Sequence, residues 1–228
     1  KIDIHAGGSG LMFPHHENEI AQSLVLNNHS IANYWMHNGL LNIKGDKMSK
    51  SEGEVVLVKD VTVDMNAFRL FTLSTQYRAP INYSDEALAV YENEWEKIQR
   101  IYKAIYLKLD LADMMYANAK IDPDLLLIYK EFLNAMDNDF NTPNAITALQ
   151  DLTKKANQMI RSKTEFEVLL SVLKVYNDFF DVLGLKVDIS PLSNEDKKVY
   201  KEWEQARNDK NFEAADKYRA ILQEKGIV

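Results

Sequence analysis

The alternation of polar and apolar positions changes period near residue 65. Before it, apolar residues come in short runs: Ile2 to His5 reads as a strand that breaks into the glycine-containing stretch "AGGSG", and "YWMHNGLLNI" reads as a second strand with Asn38-Gly39 inside it. Between them "FPHHENEIAQSLVLNN" has helical spacing, with Pro14 at a first turn where proline is tolerated and Ile20, Leu24 and Val25 on an apolar face. Lys44-Gly45-Asp46 then reads as a turn that presents "KMSKS" on a short exposed loop. From Met65 the period is helical; Phe68, Phe71 and Thr72 predict one buried face, and Ala79-Pro80 ends the element.

Beyond Pro80 the pattern is almost entirely helical. Ser84 followed by Asp85 and Glu86 predicts a capped start for a long helix through Trp95, Ile98 and Ile105. Pro123 opens another helix, Thr142 as cap with Pro143 in the first turn a third, and the capping-box spacing of Thr164 and Glu167 a fourth. The stretch "KVDISPLSNED" reads as a domain boundary before two amphipathic helices, one around Trp203 and one from about Ala214 to Leu222. The chain has no internal repeats and no low-complexity tracts.

Composition narrows the class. With 228 residues, 46% hydrophobic and 10% aromatic, the chain can bury an ordinary core as one large or two smaller domains. No stretch approaches the roughly 20 apolar residues a membrane span needs, so a cytoplasmic protein that engages no membrane is expected. Cysteine is absent, which excludes disulfides and any metal site built on this chain's own thiolates. The net charge of −7 argues against indiscriminate binding to nucleic acid, but residues 194 to 228 balance eight Lys/Arg against eight Asp/Glu, so the acidic excess lies before them. Because the first residue is lysine, further residues are expected upstream.

Two clusters carry candidate chemistry. Lys47 and Lys50, with Ser49 and Ser51 beside them, suit a polyphosphate better than a single carboxylate, since each ammonium is a compact charge on a flexible stem. A merely solvated lysine-rich turn is the alternative. Helical spacing puts His15 and Glu19 on one face, where an imidazole and a carboxylate can share one zinc ion, while His16 turns toward Ile20. They supply only two ligands, and a surface ion pair at a helix start is the alternative. Near the C-terminus, Tyr200, Trp203, Phe212 and Tyr218 could stack on bases, but Val199, Trp203 and Ala206 share a face, which favours packing for Trp203.

The strings "DIHAGGSGLMFPHHENEIAQS", "ANYWMHNGLLNIKGDKMSKS", "FRLFTLSTQYRAPINYSDEAL", "MDNDFNTPNAITALQDL" and "ARNDKNFEAADKYRAILQEKGIV" resemble, in order and spacing, the cysteinyl-tRNA synthetases of the class I aminoacyl-tRNA synthetases. The likeness spans essentially the whole chain and lacks the family's N-terminal half. It implies a mainly α protein with a small α/β N-terminal part: the end of a Rossmann-type catalytic domain over 1–40, a connecting segment with the KMSKS loop over 41–82, a helical tRNA-binding bundle over 83–186, and a small helical anticodon-recognition domain over 187–228.

The resemblance also implies an activity, ATP-dependent formation of cysteinyl-adenylate and transfer to tRNA(Cys), with cysteine, ATP with Mg and tRNA(Cys) as partners of a monomer. Lys47 and Lys50 match the family's catalytic loop lysines, and Lys50, Lys47, His5, Gly7 and Gly8 would contact ATP; His5 could instead simply terminate its strand. His15 and Glu19 match two ligands of a zinc whose other two, both cysteines, would lie upstream. By itself the chain would then be inactive. Ala6 stands where a third glycine is usual, Gly10 where an aspartate is usual, and Glu52 and Glu54 where Leu and Asn are common. Those departures keep a non-catalytic tRNA- or protein-binding paralogue as one alternative, and the related cysteine–amino sugar ligase of mycothiol synthesis is another.

Overall fold

The computed structural model describes residues 1–43, 46–47 by backbone alone, 57–115, 119–162 and 164–227. Of the expected lysine loop, Lys50, Ser49, Ser51, Glu52 and Glu54 lie outside the described residues, as do Lys44 and Gly45 of the turn before it and the side chain of Lys47. The protein is mainly α-helical, and among the described residues its two small sheets lie between Ile2 and Tyr83.

The first sheet is a βαβ unit. Strands β1 (Ile2–Gly8) and β2 (Ala32–Asn38) run parallel, with His5 opposite Trp35 and Gly7 opposite His37, and helix α1 (Glu17–Asn27) connects them. Pairing along β2 carries β1 three residues past His5, where the glycine-containing stretch was expected to be a loop. Helix α1 starts later than its periodicity suggests, because Phe13 is extended (φ −135°, ψ 134°) and Pro14 sits in the turn before the helix. Its apolar face also differs: Leu24 and Val25 are exposed, and His16 and Ser23 are the buried residues of this stretch. A two-stranded sheet covers only a narrow stripe of a helix, and the Ser23 hydroxyl joins that stripe by donating to the His29 carbonyl at 2.8 Å.

The run expected as one strand is two strands in different sheets. After β2 the chain crosses into a second sheet, where β3 (Leu41–Ile43) pairs antiparallel with β4 (Asp46–Lys47) and parallel with β5 (Ile81–Tyr83). Gly39 is the crossing point: its N–H donates to the Tyr77 carbonyl at 2.7 Å, and a Cβ there would lie 2.2 Å from the Ala79 carbonyl oxygen. Only glycine permits that approach. Helix α2 (Met65–Leu73) ends at Ser74, short of Ala79-Pro80, and buries Ala67, Leu70 and Phe71. Thr72 faces outward, its hydroxyl donating back to the Arg69 carbonyl at 2.8 Å.

The helical bundle follows. Helix α3 (Asp85–Leu111) is capped by Ser84, whose hydroxyl accepts from the Ala87 N–H, and it buries Trp95, Ile98 and Ile105 as its spacing predicts. Helices α4 (Leu126–Asp137), α5 (Thr142–Arg161) and α6 (Phe166–Leu183) complete it around a core in which Phe132 stacks on Phe179 with ring centroids 3.9 Å apart. Two caps depart from expectation. Asn141, not Thr142, caps α5 by accepting from the Asn144 N–H at 3.2 Å, a geometry its longer amide reaches from one residue earlier. At α6 no capping box forms, since Thr164 shares its hydroxyl with Ser162 at 3.0 Å and the helix begins at Phe166.

Helices α7 (Asn194–Asn208) and α8 (Phe212–Glu224) form a C-terminal hairpin joined to the end of α3 by a polar latch. The buried Asp110 carboxylate accepts from the Leu192 N–H at 2.7 Å and from the Lys197 ammonium at 2.9 Å, and Lys197 also reaches Asp113 at 2.8 Å. These hydrogen bonds hold the Asp113 carboxyl below its ordinary range and raise Lys197 above its own. A lowered carboxylate contributes stability that is present above its unfolded pKa and lost as pH falls through the folded one. A raised lysine contributes stability that is present below its unfolded pKa and lost as pH rises through the folded one. The bond between Asp113 and Lys197 is therefore complete at neutral pH and is lost in acid as pH falls through the depressed Asp113 value. We expect Asp110→Ala, which strands Lys197 and the Leu192 amide, to destabilise the protein by about 2–3 kcal/mol in urea unfolding at pH 7.

Candidate active site

The carboxyl ends of β1 and β2 and the start of α1 meet in a cluster of imidazoles around one carboxylate. Strand period two puts His5 and Gly7 on one face of β1 and Trp35 and His37 on the matching face of β2. The turn into α1 brings His15 and His16 over that face, and one helical turn on, Glu19. Open parallel sheets commonly bind ligands at this end of their strands.

Glu19 lies between two of the rings. Its Oε2 is 2.6 Å from His5 Nε2 and its Oε1 is 3.4 Å from His15 Nε2. The hydrogen bond from His5 is the main reason the Glu19 carboxyl lies below the usual carboxylate range, against an opposing effect of burial. His15, 61% exposed in its side chain, faces Glu19 as the four-residue spacing predicts. His16 is 3% exposed and sits beneath, its Nδ1 at 2.8 Å from His37 Nε2, with its ring 4.8 Å from that of His5 and 5.1 Å from Trp35. One ring of the His16–His37 pair donates and the other accepts, so a second proton on the accepting ring would break the bond. Burial first, then the neighbouring His5 and His37, hold His16 below the ordinary imidazole value.

Gly7 makes room for this arrangement. A Cβ on it would lie 2.9 Å from His16 Cε1 and 3.0 Å from Leu11 Cδ1, whereas a Cβ on Gly8 or Gly10 would meet nothing within 4 Å. One donor atom each from His5, His16 and Glu19 lies within 4.8 Å of the others, the metal-sized grouping found among the described residues. Imidazole and carboxylate donors suit zinc and other first-row divalent ions.

The site thus gathers His5, Gly7, His15 and Glu19 from the sequence-predicted residues and leaves Gly8 at the strand end, facing open space. Lys47 is placed only by its backbone, in β4 opposite Asn42. Sequence reasoning gave no role to His16, His37 or Trp35. The alternation of Trp35 and His37 along one strand is the signal that could have found the last two.

Residues 1–93 match the model of the tRNA synthetases class I (C) catalytic domain, and residues 131–188 match the DALR domain. The chain is 43% identical over 236 aligned residues to a cysteine–tRNA ligase of Staphylococcus haemolyticus (strain JCSC1435) and 42% identical over 234 to one of Staphylococcus epidermidis, covering 100% of this chain and 50% of each relative. It therefore spans about half the length of the curated relatives it matches. Two solved structures share the fold. A LeuRS–tRNA–LeuAMS ternary complex from Agrobacterium radiobacter K84 superposes with a TM-score of 0.63 at 20% identity, over 81% of this chain and 28% of that one. A Mycobacterium tuberculosis methionyl-tRNA synthetase with methionyl-adenylate gives 0.57 at 19% identity, over 93% and 46%.

The packing at Gly7 yields a paired expectation. Gly7→Ala forces the His16 ring to move and should cost about 1–3 kcal/mol in chemical denaturation, with a shift of the His16 imidazole resonances. Gly8→Ala, one residue on, should stay within about 0.5 kcal/mol of wild type and leave those resonances in place.

Proposed function

We propose that the chain forms part of a cysteine–tRNA ligase of the class I aminoacyl-tRNA synthetases, which joins cysteine to ATP as an adenylate and passes the cysteinyl group to tRNA(Cys). The observation that carries this reading is the single Glu19 carboxylate held between His5 and His15 at the carboxyl end of β1, beside the sheet that carries Lys47.

In this reading His15 and Glu19 hold a zinc ion together with cysteines supplied from outside the chain, which has none of its own. When bound, such an ion takes a thiolate far more readily than a hydroxyl, which would separate cysteine from serine by coordination chemistry. The chain's own residues prepare the site for it. His5 fixes the Glu19 carboxylate by hydrogen bonding to Oε2, leaving Oε1 toward His15. His16, buried and paired with His37, keeps water from the floor of the site. Lys47 and Lys50 neutralise the phosphates of ATP, with Mg, as pyrophosphate leaves, and His5, Gly7 and Gly8 border the nucleotide.

The βαβ unit supports a place inside a larger domain. Val25 is 86% and Leu26 81% exposed, and Ile2, Ile4 and Tyr34 also face solvent, more apolar surface than a two-stranded unit leaves bare when complete. At the other end, Arg207 stacks over the Trp203 ring at 4.7 Å and Phe212 is exposed on the α7–α8 hairpin, a guanidinium–aromatic surface of the kind that receives unstacked RNA bases. Trp203 is itself half-buried.

Two measurements test the reading. The complete gene product should catalyse cysteine-dependent ATP–pyrophosphate exchange, and Lys47→Ala with Lys50→Ala should lower its kcat at least about a hundredfold with little change in cysteine binding. Absence of exchange in the wild type would favour a non-catalytic tRNA-binding role. Zinc content of the same protein should fall in His15→Ala and Glu19→Ala; equal zinc in wild type and both variants would remove the metal assignment.

A further inference from the structure

We propose that Asp139, on the turn between α4 and α5, is a positioning residue that braces the Gly39 crossing and thereby fixes the second sheet relative to the histidine site. The inference rests on the proposed ligase reading only for its kinetic consequence.

The turn has an unusual backbone. Asp139 (φ 56°) and Phe140 (φ 52°) are consecutive non-glycine residues in the left-handed region, which aspartate tolerates and a bulky aromatic rarely adopts. The turn is held there by bonds from the Phe140 N–H to the Met136 carbonyl at 3.1 Å and from the Asn141 N–H to the Ala135 carbonyl at 3.0 Å. Glycine would suit both positions better if tight turning were all that the segment did. The aspartate instead delivers a carboxylate across to the segment after α2. Its Oδ1 accepts from the Tyr77 hydroxyl at 3.0 Å, and its Oδ2 lies 3.1 Å from the Arg78 guanidinium. Arg78 in turn donates to the Tyr77 hydroxyl at 2.9 Å, and its backbone N–H donates to the Gln76 side chain at 2.8 Å.

That segment touches the crossing directly. The Tyr77 carbonyl accepts the Gly39 N–H, the Ala79 carbonyl occupies the space where a Gly39 side chain would be, and the Ile81 N–H bonds to the Leu40 carbonyl at 2.9 Å where β5 begins. His37, in the imidazole cluster, is two residues before Gly39, and β3, which pairs with β4 at Lys47, begins two residues after it. The path from Asp139 to Tyr77 to Gly39 is therefore one of direct contacts between the bundle and the joint of the two sheets. Such a path transmits position only if loosening one end loosens the other, which is measurable.

Asp139→Gly keeps the left-handed backbone without strain and deletes the carboxylate. In native-state hydrogen exchange on this chain, the Gly39 and Ile81 amides should exchange about tenfold faster in the variant, while the Leu149 and Leu152 amides of the bundle core keep their wild-type rates. Unchanged protection at Gly39 and Ile81 would overturn the proposal. Should the core amides also speed up, Tyr77→Phe, which removes the hydroxyl without touching the turn, decides by the same two amides. In the complete ligase Asp139→Gly should lower kcat for pyrophosphate exchange about tenfold with the KM for cysteine within about twofold. Equal kcat in variant and wild type would overturn the positioning role. Failure of the ligase reading is recognised separately, by a wild type that gives no exchange while the amide measurements still decide the brace.

Discussion

The arrangement of the N-terminal third depends on a backbone contact with no room for a side chain. At Gly39 the chain leaves one sheet for another while pressed against the Ala79 carbonyl, and the two sheets carry different chemistry. The first holds the imidazole cluster and the second holds the backbone of Lys47. Were Gly39 larger, the strand would have to bow away from residues 77–80, and the bond to Tyr77 and the β3–β5 pairing would be lost together. The distance between the two halves of the proposed chemistry is thus set by main-chain contact, which is stiffer than contact between long side chains.

The cluster has a definite electrostatic character. Glu19 lies between His5 and His15, with His16 beneath and His37 bonded to His16; burial favours the neutral form of His16, and the His5 hydrogen bond favours the ionised form of Glu19. The rings of His5 and His37 lie 4.8 and 5.0 Å from that of His16, so a proton added to buried His16 meets both burial and its neighbours' repulsion.

Much of this was legible in the chain. The switch to helical period after Met65, the Ser84 cap and the buried positions Trp95, Ile98 and Ile105 follow from spacing alone, because a long amphipathic helix is specified by its own sequence. The pairing of His15 with Glu19 is likewise local. What escaped was non-local. The exposed Leu24 and Val25 and the buried His16 and Ser23 of α1 depend on which stripe a narrow sheet covers, and periodicity does not report that. The split of "YWMHNGLLNI" into two strands depends on residues 77–81, some forty positions away. Asn141 displaced Thr142 as cap for a closer reason: both side chains are competent, and the left-handed turn before them chose.

The departures from the family pattern bear on ligand contact more than on folding. At Gly10 a side chain would meet nothing within 4 Å, so the backbone there does not require glycine, and exchanging the usual aspartate for it removes a carboxylate without altering the path of the chain. That change can weaken a ligand contact; it gives no reason for the rest of the site to be dismantled, and the bonds joining His5 to Glu19 and His16 to His37 are intact. The C-terminal hairpin weighs against the amino-sugar alternative. In the proposed reading a helical pair tied to the end of α3 by a buried carboxylate, with an arginine stacked on Trp203, serves a ligase that reaches along an RNA better than one that acts on a small sugar.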